Sequence, residues 1–296
     1  MEGEGKREMY DQLPTDLYPQ TQYAHPTEQF NDLLDRVRSA FALPIVVKPD
    51  VGMKGLWFER IDSWEELEAY HREAPVEYVI QAWVGWPVEV SIFYHRHPAK
   101  STGTISGFIE KTLLQVVGDG QSTLVELIRK HPKASGRLAE LSVKHEQHFE
   151  RTLDDGEVYL LSYAANHNRG AFFYNLQHRI TPELAARFDD LSHKTRFYYG
   201  RYDLKIRSVD DFCSGGDFSI LEFNGCGAEP NHIYDCGMSL WQAYRIILQH
   251  WRALFEISRH NHQSGHTYWG FWKGLRFLRS SAKHFERLSL ARRSAL

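Results

Sequence analysis

The chain has 296 residues, of which 42% are hydrophobic and 25% are charged, and this ordinary globular composition argues against disorder, collagen and coiled coil. The formal charge of −3, from 35 Lys and Arg against 38 Asp and Glu, argues against nucleic-acid binding. The apolar runs are too short to span a bilayer, and the first residues carry no secretory signal. The cysteines Cys213, Cys226 and Cys236 lack metal-type spacing, which favours a cytoplasmic location.

The first third of the chain predicts helices that alternate with short strands. Residues 1–26 are polar and contain prolines that would interrupt a long helix. Apolar residues at three- to four-residue spacing predict a helix that begins at Thr27, and Ile45–Val47 predicts a buried strand that ends at Lys48. A glycine-bearing loop follows at 50–55. The other elements predicted here are strands at 56–59, 76–84 and 88–94 and a helix at 63–72.

The remainder of the chain continues the mixture of helices and strands. The predicted strands are 103–117, 158–163, 201–207 and 218–223, and the predicted helices are 122–130, 181–198 and 240–259. Helices interleaved with hairpin-connected strands favour an α+β fold. The predicted divisions are a polar N-terminal segment (1–26), a first lobe (27–87), a second lobe with a C-terminal helix (88–262) and a basic aromatic tail (263–296).

Two neighbouring strands carry a candidate metal site. Side chains alternate along a strand, so Asp203 shares a face with Lys205, and Glu222 shares a face with Asn224. Turn residues centre a hairpin near 212–213, which would place Asp203 across from Glu222 and Asn224. Three oxygen ligands with room for phosphate suit Mg²⁺. The alternative is an ordinary polar, solvated strand face.

Lys48 is a candidate phosphate ligand, because it ends a buried strand and precedes the glycine-bearing loop. A lysine at this place can reach nucleotide phosphates while the loop folds over them. The alternative is an exposed lysine at a strand end. The loop is neither a Walker A motif nor a Gly-x-Gly-x-x-Gly motif.

In this order, the pieces resemble the ATP-grasp superfamily over 43–235, about two thirds of the chain. The segment 116–128, with its Val-Val-Gly-Asp-Gly turn, resembles cyanophycin synthetases and bifunctional glutathione synthetases. Gly200–Asp203 and Leu221–Asn224 resemble D-alanine–D-alanine ligases, and the whole chain, with 224–235, is most similar to bacterial proteins loosely labelled with that name. The other matching stretches are Ile45–Pro49 and Val79–Gly85 with Glu89.

This resemblance implies two α+β lobes that grip a nucleotide, followed here by an amphipathic helical tail. The residues that it assigns to ATP are Lys48 for the α- and β-phosphates, Gly52 and Gly55 in the covering loop, Gln81, Ala82, Trp83 and Val84 in the adenine-binding hinge, and Glu89 for the ribose hydroxyls. The residues that it assigns to catalysis and metal binding are Lys111 near the γ-phosphate, Arg201 for a tetrahedral oxyanion, and Asp203, Glu222 and Asn224 for Mg²⁺.

The implied activity is an ATP- and Mg²⁺-dependent carboxylate–amine ligase that forms an amide through an acyl phosphate. The implied substrates are a small-molecule or lipid-linked acid and amine. Two alternatives remain open, namely an ATP-dependent phosphotransferase and a non-catalytic nucleotide-binding scaffold anchored through its tail. Similar ligases carry an N-terminal domain, whereas only about 40 residues precede Ile45 here, and Lys6 is the only lysine before Lys48. Three alternatives remain open: the domain is missing, a partner supplies it, or the acceptor site is built differently. The resemblance therefore does not assign D-alanine as the substrate.

Three further residues are candidates for substrate binding. Arg169 lies in a loop after a strand and can hold a carboxylate or phosphate, although a loop arginine can equally bond backbone carbonyls. Glu229 and His232 follow the metal-binding strand and are expected to face the acceptor pocket. His232 can act as a general base for the amine, and its alternative is a structural role.

The tail is strongly basic and aromatic. From His266 to the end, seven Lys and Arg stand against Glu286 alone, which gives the tail +6 and the rest of the chain −9. Aromatic and leucine residues recur at three- to four-residue spacing, with the basic residues mainly off that stripe. This pattern predicts an amphipathic helix, and contact with the inner face of a membrane through 268–293 is one of its possible roles. The alternatives are that the stripe packs on the body of the chain or on a second subunit of a homodimer.

Overall fold

The computed structural model describes residues 5–52, 55–163, 167 and 170–294. These residues form two antiparallel sheets with separate apolar cores and a cleft between them. The α+β fold and the two lobes predicted from the sequence are therefore confirmed. No helix within the described ranges is long and apolar enough to cross a membrane.

The first lobe is a four-stranded sheet with strand order β1-β4-β2-β3. Ile45 and Val47 point into its core, whereas the alternate residues Val46 and Lys48 line the cleft. The strands are β1 (Thr21–Ala24), β2 (Ile45–Pro49), β3 (Glu59–Ile61) and β4 (Tyr78–Ala82), and the helices in this part of the chain are α1 (Lys6–Tyr10), α2 (Phe30–Ala40) and α3 (Trp64–Glu73).

The second lobe is built on a five-stranded sheet with strand order β11-β10-β5-β6-β9, beside a two-stranded sheet of β7 and β8. One face of the large sheet packs on α1, α6 and α7, and the other faces the cleft and α8. The strands are β5 (Val88–His95), β6 (Thr104–Thr112), β7 (Gln115–Val117), β8 (Val158–Leu160), β9 (Phe172–Asn175), β10 (Tyr199–Ile206) and β11 (Phe218–Asn224). The helices are α4 (Leu124–Lys130), α5 (Leu138–His145), α6 (Pro182–Thr195), α7 (Val209–Cys213), α8 (Leu240–Gln263) and α9 (Phe271–Ser294).

The N-terminal segment differs from the sequence-based expectation, because its described residues, 5–26, contribute to both lobes. Strand β1 pairs with β4 at the edge of the first sheet. Helix α1 lies on the second lobe, where Met9, Tyr10 and Leu13 are buried in the core. Met9 and Tyr10 lie in a helix of only five residues and Leu13 follows just after it, which is too short a pattern to be recognised beside the prolines. The strand predicted at 56–59 is also displaced, since β3 covers Glu59–Ile61.

The hairpin of β10 and β11 has the predicted pairing of Asp203 with Glu222. Its register shifts immediately afterwards, because Leu204 pairs with Ile220 and Leu221 is the extra residue of a bulge. The bulge brings the Leu221 carbonyl to the cleft, where it accepts hydrogen bonds from Tyr10 Oη at 2.6 Å and from Lys48 Nζ at 3.1 Å. The two lobes are thus linked at the candidate metal strand.

The predicted tail helix is present as α9, and its C-terminal half packs on the first lobe. Phe285 and Leu288 are buried in the core of that lobe. Trp57 Nε1 donates a hydrogen bond to the Leu288 carbonyl at 2.9 Å, and His284 Nε2 lies 2.8 Å from the Val51 carbonyl. The alternative in which the stripe packs on the body of the chain is therefore confirmed for this half, where Phe285 and Leu288 are not available to a membrane.

We expect Leu288→Ala to lower the free energy of unfolding by about 2–5 kcal/mol, because it leaves a cavity at a fully buried position. Leu278→Ala, in the same helix but 56% exposed, is the matched control and should have little effect. Urea unfolding of both variants tests whether α9 is an integral part of the first lobe. Equal losses in the two variants would contradict this packing.

Candidate active site

A cleft of about 720 Å³ lies between the two large sheets. Residues of β2 and β4 line one wall, residues of β10 and β11 line the other, and the ends of β5 and β6 contribute to the floor. Among the described residues, all of the predicted site residues except His232 line this cleft. Arg169 lies outside the described residues, as do Met53 and Lys54 of the predicted covering loop.

Asp203 lies at the centre of a buried network. Its Oδ1 atom lies 2.8 Å from Lys111 Nζ and 3.3 Å from Arg201 Nε, and it also accepts a hydrogen bond from Ser91 Oγ. Its Oδ2 atom lies 3.3 Å from Asn224 Nδ2. Burial alone would raise the pKa of the Asp203 carboxyl, but the charges of Lys111 and Arg201 hold it well below its usual range. Asp203 is therefore a carboxylate at neutral pH.

Beside Asp203, the floor of the cleft carries three further charged residues, Glu89, Lys111 and Lys205. Lys111 Nζ lies 3.3 Å from Glu89 Oε1, so the residue assigned to ribose hydroxyls is paired with a lysine in this structure. Lys205 also lines the cleft and pairs in register with Glu89 across β10 and β5. Burial lowers the pKa of the Lys205 ammonium. The sequence analysis did not assign Lys205 to the site, although it placed the residue on the same strand face as Asp203.

Lys48 reaches across the cleft from the first lobe to the second. Its Nζ donates hydrogen bonds to the Leu221 carbonyl at 3.1 Å and to Tyr10 Oη at 3.4 Å. Burial lowers the pKa of this ammonium, and the nearby carboxylates of the second lobe oppose that effect. A buried cation held by neutral acceptors is suited to an incoming anion, because an anion would restore the electrostatic stabilisation lost on leaving water.

Lys6 is a functional candidate that the sequence analysis missed. Its Nζ lies 3.5 Å from Glu222 Oε1 and 3.3 Å from the Asp50 carbonyl. The side chain is buried and lines the cleft. Lys6 comes to this place because Met9 and Tyr10 anchor α1 on the second lobe. That anchoring is a tertiary contact, and the only signal for it in the sequence is the spacing of the two apolar residues.

The cleft has an excess of positive charge. Among its described lining residues, six cationic side chains face four carboxylates, which favours a polyanion such as a nucleotide triphosphate. The cations are Lys6, Lys48, Arg60, Lys111, Arg201 and Lys205, and the carboxylates are Glu89, Asp203, Glu222 and Glu229.

The predicted hinge lies at the mouth of the cleft. Strand β4 ends at Ala82, so the backbone of Trp83 and Val84 continues beyond the sheet while still lining the cleft. The Gln81 side chain points to β1, where its Nε2 donates a hydrogen bond to Thr21 Oγ1 at 2.9 Å. This segment therefore offers the cleft backbone groups and the Trp83 ring.

The two remaining acceptor-site candidates have different positions. Glu229 lines the cleft, and its carbonyl accepts a hydrogen bond from Arg201 Nη1 at 3.1 Å. His232 does not line the cleft and is buried beside Gly107 and His250, which favours its structural alternative over a role as a base. A Cβ atom at Gly107 would lie 2.2 Å from His232 Nδ1, so the glycine makes the space that the imidazole occupies.

The buried imidazoles predict a pH dependence of stability. Burial lowers the pKa of His232 to about 4 and that of His250 to about 3, whereas an exposed histidine titrates near 6.5. Below about pH 6.5 the unfolded chain therefore binds more protons than the folded chain, and stability falls as the pH falls toward these values. Each histidine should contribute about 1.4 kcal/mol per pH unit where it is charged only in the unfolded chain.

Urea unfolding of the wild type and of His232→Gln between pH 7 and pH 5 measures this effect. The wild type should lose stability more steeply on acidification than the variant. Superimposable pH profiles would show that His232 is not a buried neutral imidazole. His178→Gln, at an exposed position, is the matched control.

No known family profile matches this chain, and no curated protein matches it. Solved structures do show similarity. The chain is similar to a bifunctional glutathione synthetase from Pasteurella multocida (13% identity, TM-score 0.43, 84% of this chain and 36% of that chain). It is also similar to a D-alanine–D-alanine ligase from Bacillus anthracis (13% identity, TM-score 0.44, 85% of this chain and 66% of that chain). A third similar structure is the VanG D-Ala:D-Ser ligase from Enterococcus faecalis (11% identity, TM-score 0.47, 83% of this chain and 61% of that chain).

The chain spans between 36% and 66% of the length of these three structures. At such identities and TM-scores, the similarity assigns neither an activity nor a substrate to this chain.

Proposed function

We propose that this protein is a carboxylate–amine ligase of the ATP-grasp type that uses ATP and Mg²⁺ and acts on a small-molecule or lipid-linked acid and amine. The observation that supports the proposal is that one cleft brings together two groups. A buried lysine suited to bind phosphate comes from one sheet, and a network of carboxylates comes from the other. Lys48 comes from β2, and Asp203 and Glu222 come from β10 and β11.

The donor set fits Mg²⁺ when the metal shares its ligands with a nucleotide. Mg²⁺ is usually bound by one or two carboxylates together with substrate phosphates. Asp203 and Glu222 are directly paired across the hairpin, and the Asn224 amide lies beside them. In the described part of the chain, no group of three His, Cys, Asp or Glu side chains is arranged to hold a metal alone. Bound Mg²⁺ would neutralise phosphate charge in this site.

The proposed reaction has two steps. The substrate carboxylate attacks the γ-phosphorus of ATP, and the bond between that phosphorus and the bridging β-phosphate oxygen breaks. The products of this step are an acyl phosphate and ADP. The amine then attacks the acyl carbon, loses a proton, and displaces inorganic phosphate as the amide forms. Both steps concentrate negative charge, and the cations Lys48, Lys111 and Arg201 are available to stabilise it.

Arg201 is the proposed oxyanion residue. Its guanidinium is held at the edge of the cleft by the 3.3 Å ion pair with Asp203 and by the hydrogen bond to the Glu229 carbonyl. A cation fixed in this way can stabilise a tetrahedral oxyanion without reorganising during the reaction.

We expect Arg201→Ala to lower kcat by a factor of roughly 100–1,000 while changing ATP affinity much less, because the proposed oxyanion exists only during the reaction. Arg72→Ala, on the exposed surface of α3, is the control. Steady-state kinetics together with calorimetric ATP titration separate the two effects. A large loss of ATP affinity at unchanged kcat would assign Arg201 to nucleotide binding instead.

The proposed function is tested by measuring ADP release from ATP with a panel of carboxylic acids, each with and without a panel of amines. Turnover that requires both an acid and an amine, with release of inorganic phosphate, supports a ligase. A stable phosphorylated product supports a phosphotransferase instead. ATP binding without turnover on any combination would favour the scaffold alternative.

A further inference from the structure

Helix α8 exposes an apolar stripe along most of its length. Trp241, Tyr244, Leu248, Trp251 and Phe255 recur at alternating three- and four-residue spacing, so they lie on one side of the helix. Their exposed fractions range from 53% to 83%. Large apolar side chains in such a row are rarely left to water in a soluble protein.

The opposite side of α8 holds the helix against the second lobe. His250 and Ile257 are buried, and Ile257 packs with Phe93 and Tyr199 of the sheet. The His250 ring lies 4.4 Å from the Phe93 ring, measured between centroids. The stripe is therefore the outer surface of a helix whose inner side is already occupied.

The stripe continues into the beginning of α9. His262 lies seven residues after Phe255 on the same side of α8, and its ring stacks on Tyr268 with centroids 4.1 Å apart. Phe271 and Trp272 follow, and each is 74% exposed. We call this whole surface the aromatic face, and it comprises Trp241, Tyr244, Leu248, Trp251, Phe255, Tyr268, Phe271 and Trp272.

The area of the aromatic face exceeds that of an ordinary surface patch. A fully buried aromatic side chain removes about 150–250 Å² from water, so eight large side chains that are half exposed or more offer on the order of 1,000 Å². The largest apolar patch of a typical monomer covers only about 300–600 Å².

The segment of the chain that carries the aromatic face is mostly basic, although Arg252 is paired with Glu256 at 2.9 Å. Residues 240–296 contain ten Lys and Arg against two Glu, a formal charge of +8, whereas residues 1–239 carry −11. Arg245, Arg252 and Arg259 follow one another at seven-residue spacing directly beside the stripe. A suitable occupant of this face is therefore apolar and also carries negative charge near these arginines.

A second copy of the chain satisfies these conditions poorly. Antiparallel pairing of two α8 stripes would place the three arginines of one copy against those of the other. Parallel pairing would place them against Ile247 and Leu254, which are partly covered by the second lobe. An anionic lipid surface satisfies both conditions, since aromatic rings favour the headgroup layer and Arg and Lys favour anionic headgroups.

We propose that the aromatic face binds peripherally to anionic lipid bilayers, with the rings of α8 and of the beginning of α9 in the headgroup layer. The proposed lipid-binding surface therefore differs from the one considered in the sequence analysis. It lies on α8 and its junction with α9, and not on the tail alone. The proposal does not depend on the proposed ligase activity.

Cosedimentation of the full chain with phosphatidylglycerol–phosphatidylcholine vesicles, and with pure phosphatidylcholine vesicles, tests the proposal. We expect binding to the anionic vesicles that weakens as salt is raised. Trp241→Ser combined with Trp251→Ser should lower the partition coefficient at least tenfold. Tyr174→Ser combined with Val143→Ser, at similarly exposed positions elsewhere, is the matched control and should bind like the wild type.

A second pair of variants tests the charge. The double variant Arg245→Gln with Arg259→Gln should weaken vesicle binding several-fold and reduce its salt dependence. The control, Arg72→Gln with Arg129→Gln, removes the same charge from other surfaces and should bind vesicles like the wild type. All of these positions are exposed, so circular dichroism should show an unchanged fold. Absence of vesicle binding at low salt, or equal loss in the matched controls, would overturn the proposal. The proposal would also be overturned if the protein is a dimer that does not bind vesicles and if the tryptophan substitutions convert that dimer to monomers.

Discussion

Replacing Asp203 with Asn is expected to reduce turnover by a factor of roughly 100–1,000, which is the typical effect of losing one preorganised electrostatic group from an active site. The carboxylate is the common partner of Lys111 and Arg201, and it is also a proposed metal ligand. Its loss would leave two cations without their shared counter-charge and would weaken Mg²⁺ binding in the presence of ATP.

Asp203 is buried, so part of this effect could come from reduced stability. Glu222→Gln separates the two causes, because its side chain is 39% exposed and should tolerate the change. Both variants should lose turnover, and Asp190→Asn, on the exposed surface of α6, should not. Near-normal kcat at saturating Mg²⁺ in either site variant would remove the metal strand from the mechanism.

Replacing Lys48 with Met should weaken ATP binding by a factor of roughly 10–150, because a charge-assisted hydrogen bond is worth about 1.5–3 kcal/mol. Methionine is chosen because Lys48 is buried and a side chain of similar length limits the loss of packing. The bonds to the Leu221 carbonyl and Tyr10 would also be lost, so the unfolding midpoint must be measured beside the affinity.

Calorimetric titration with ATP and Mg²⁺ provides the measurement for Lys48. Lys194→Met, at an exposed position of α6, should bind ATP like the wild type. The comparison with Arg201→Ala is informative, since Lys48 is expected to affect the ground-state affinity for ATP and Arg201 is expected to affect kcat. Unchanged ATP affinity in Lys48→Met would leave this lysine with a purely structural role between the lobes.

The metal-strand hairpin could be predicted from the sequence because it depends on a local rule. Alternation along β10 and β11 fixes which side chains share a face, and the turn residues set the pairing of Asp203 with Glu222. The bulge at Leu221 and the helix α7 in the connection were not predicted. Both change the geometry without changing which face the polar residues occupy, so the site prediction did not depend on them.

The contributions of distant segments could not be predicted in the same way. Lys6 enters the cleft only because α1 packs on the second lobe, and Phe285 and Leu288 are buried only because α9 returns to the first lobe. The same limit explains His232, which follows the metal strand in sequence but lies in the space that Gly107 leaves beside α8. In each case the position is decided by packing between residues far apart in the chain.

In the proposed reaction, the γ-phosphoryl group of ATP passes to a carboxylate before an amine displaces phosphate. Once an accepting acid and amine are found, turnover with acid labelled by ¹⁸O in both carboxylate oxygens reveals whether this transfer occurs. The proposed acyl phosphate requires one labelled oxygen in each phosphate released, in equal amount to ADP and amide. Unlabelled phosphate, with the departing ¹⁸O found in water or in AMP, would exclude an acyl phosphate.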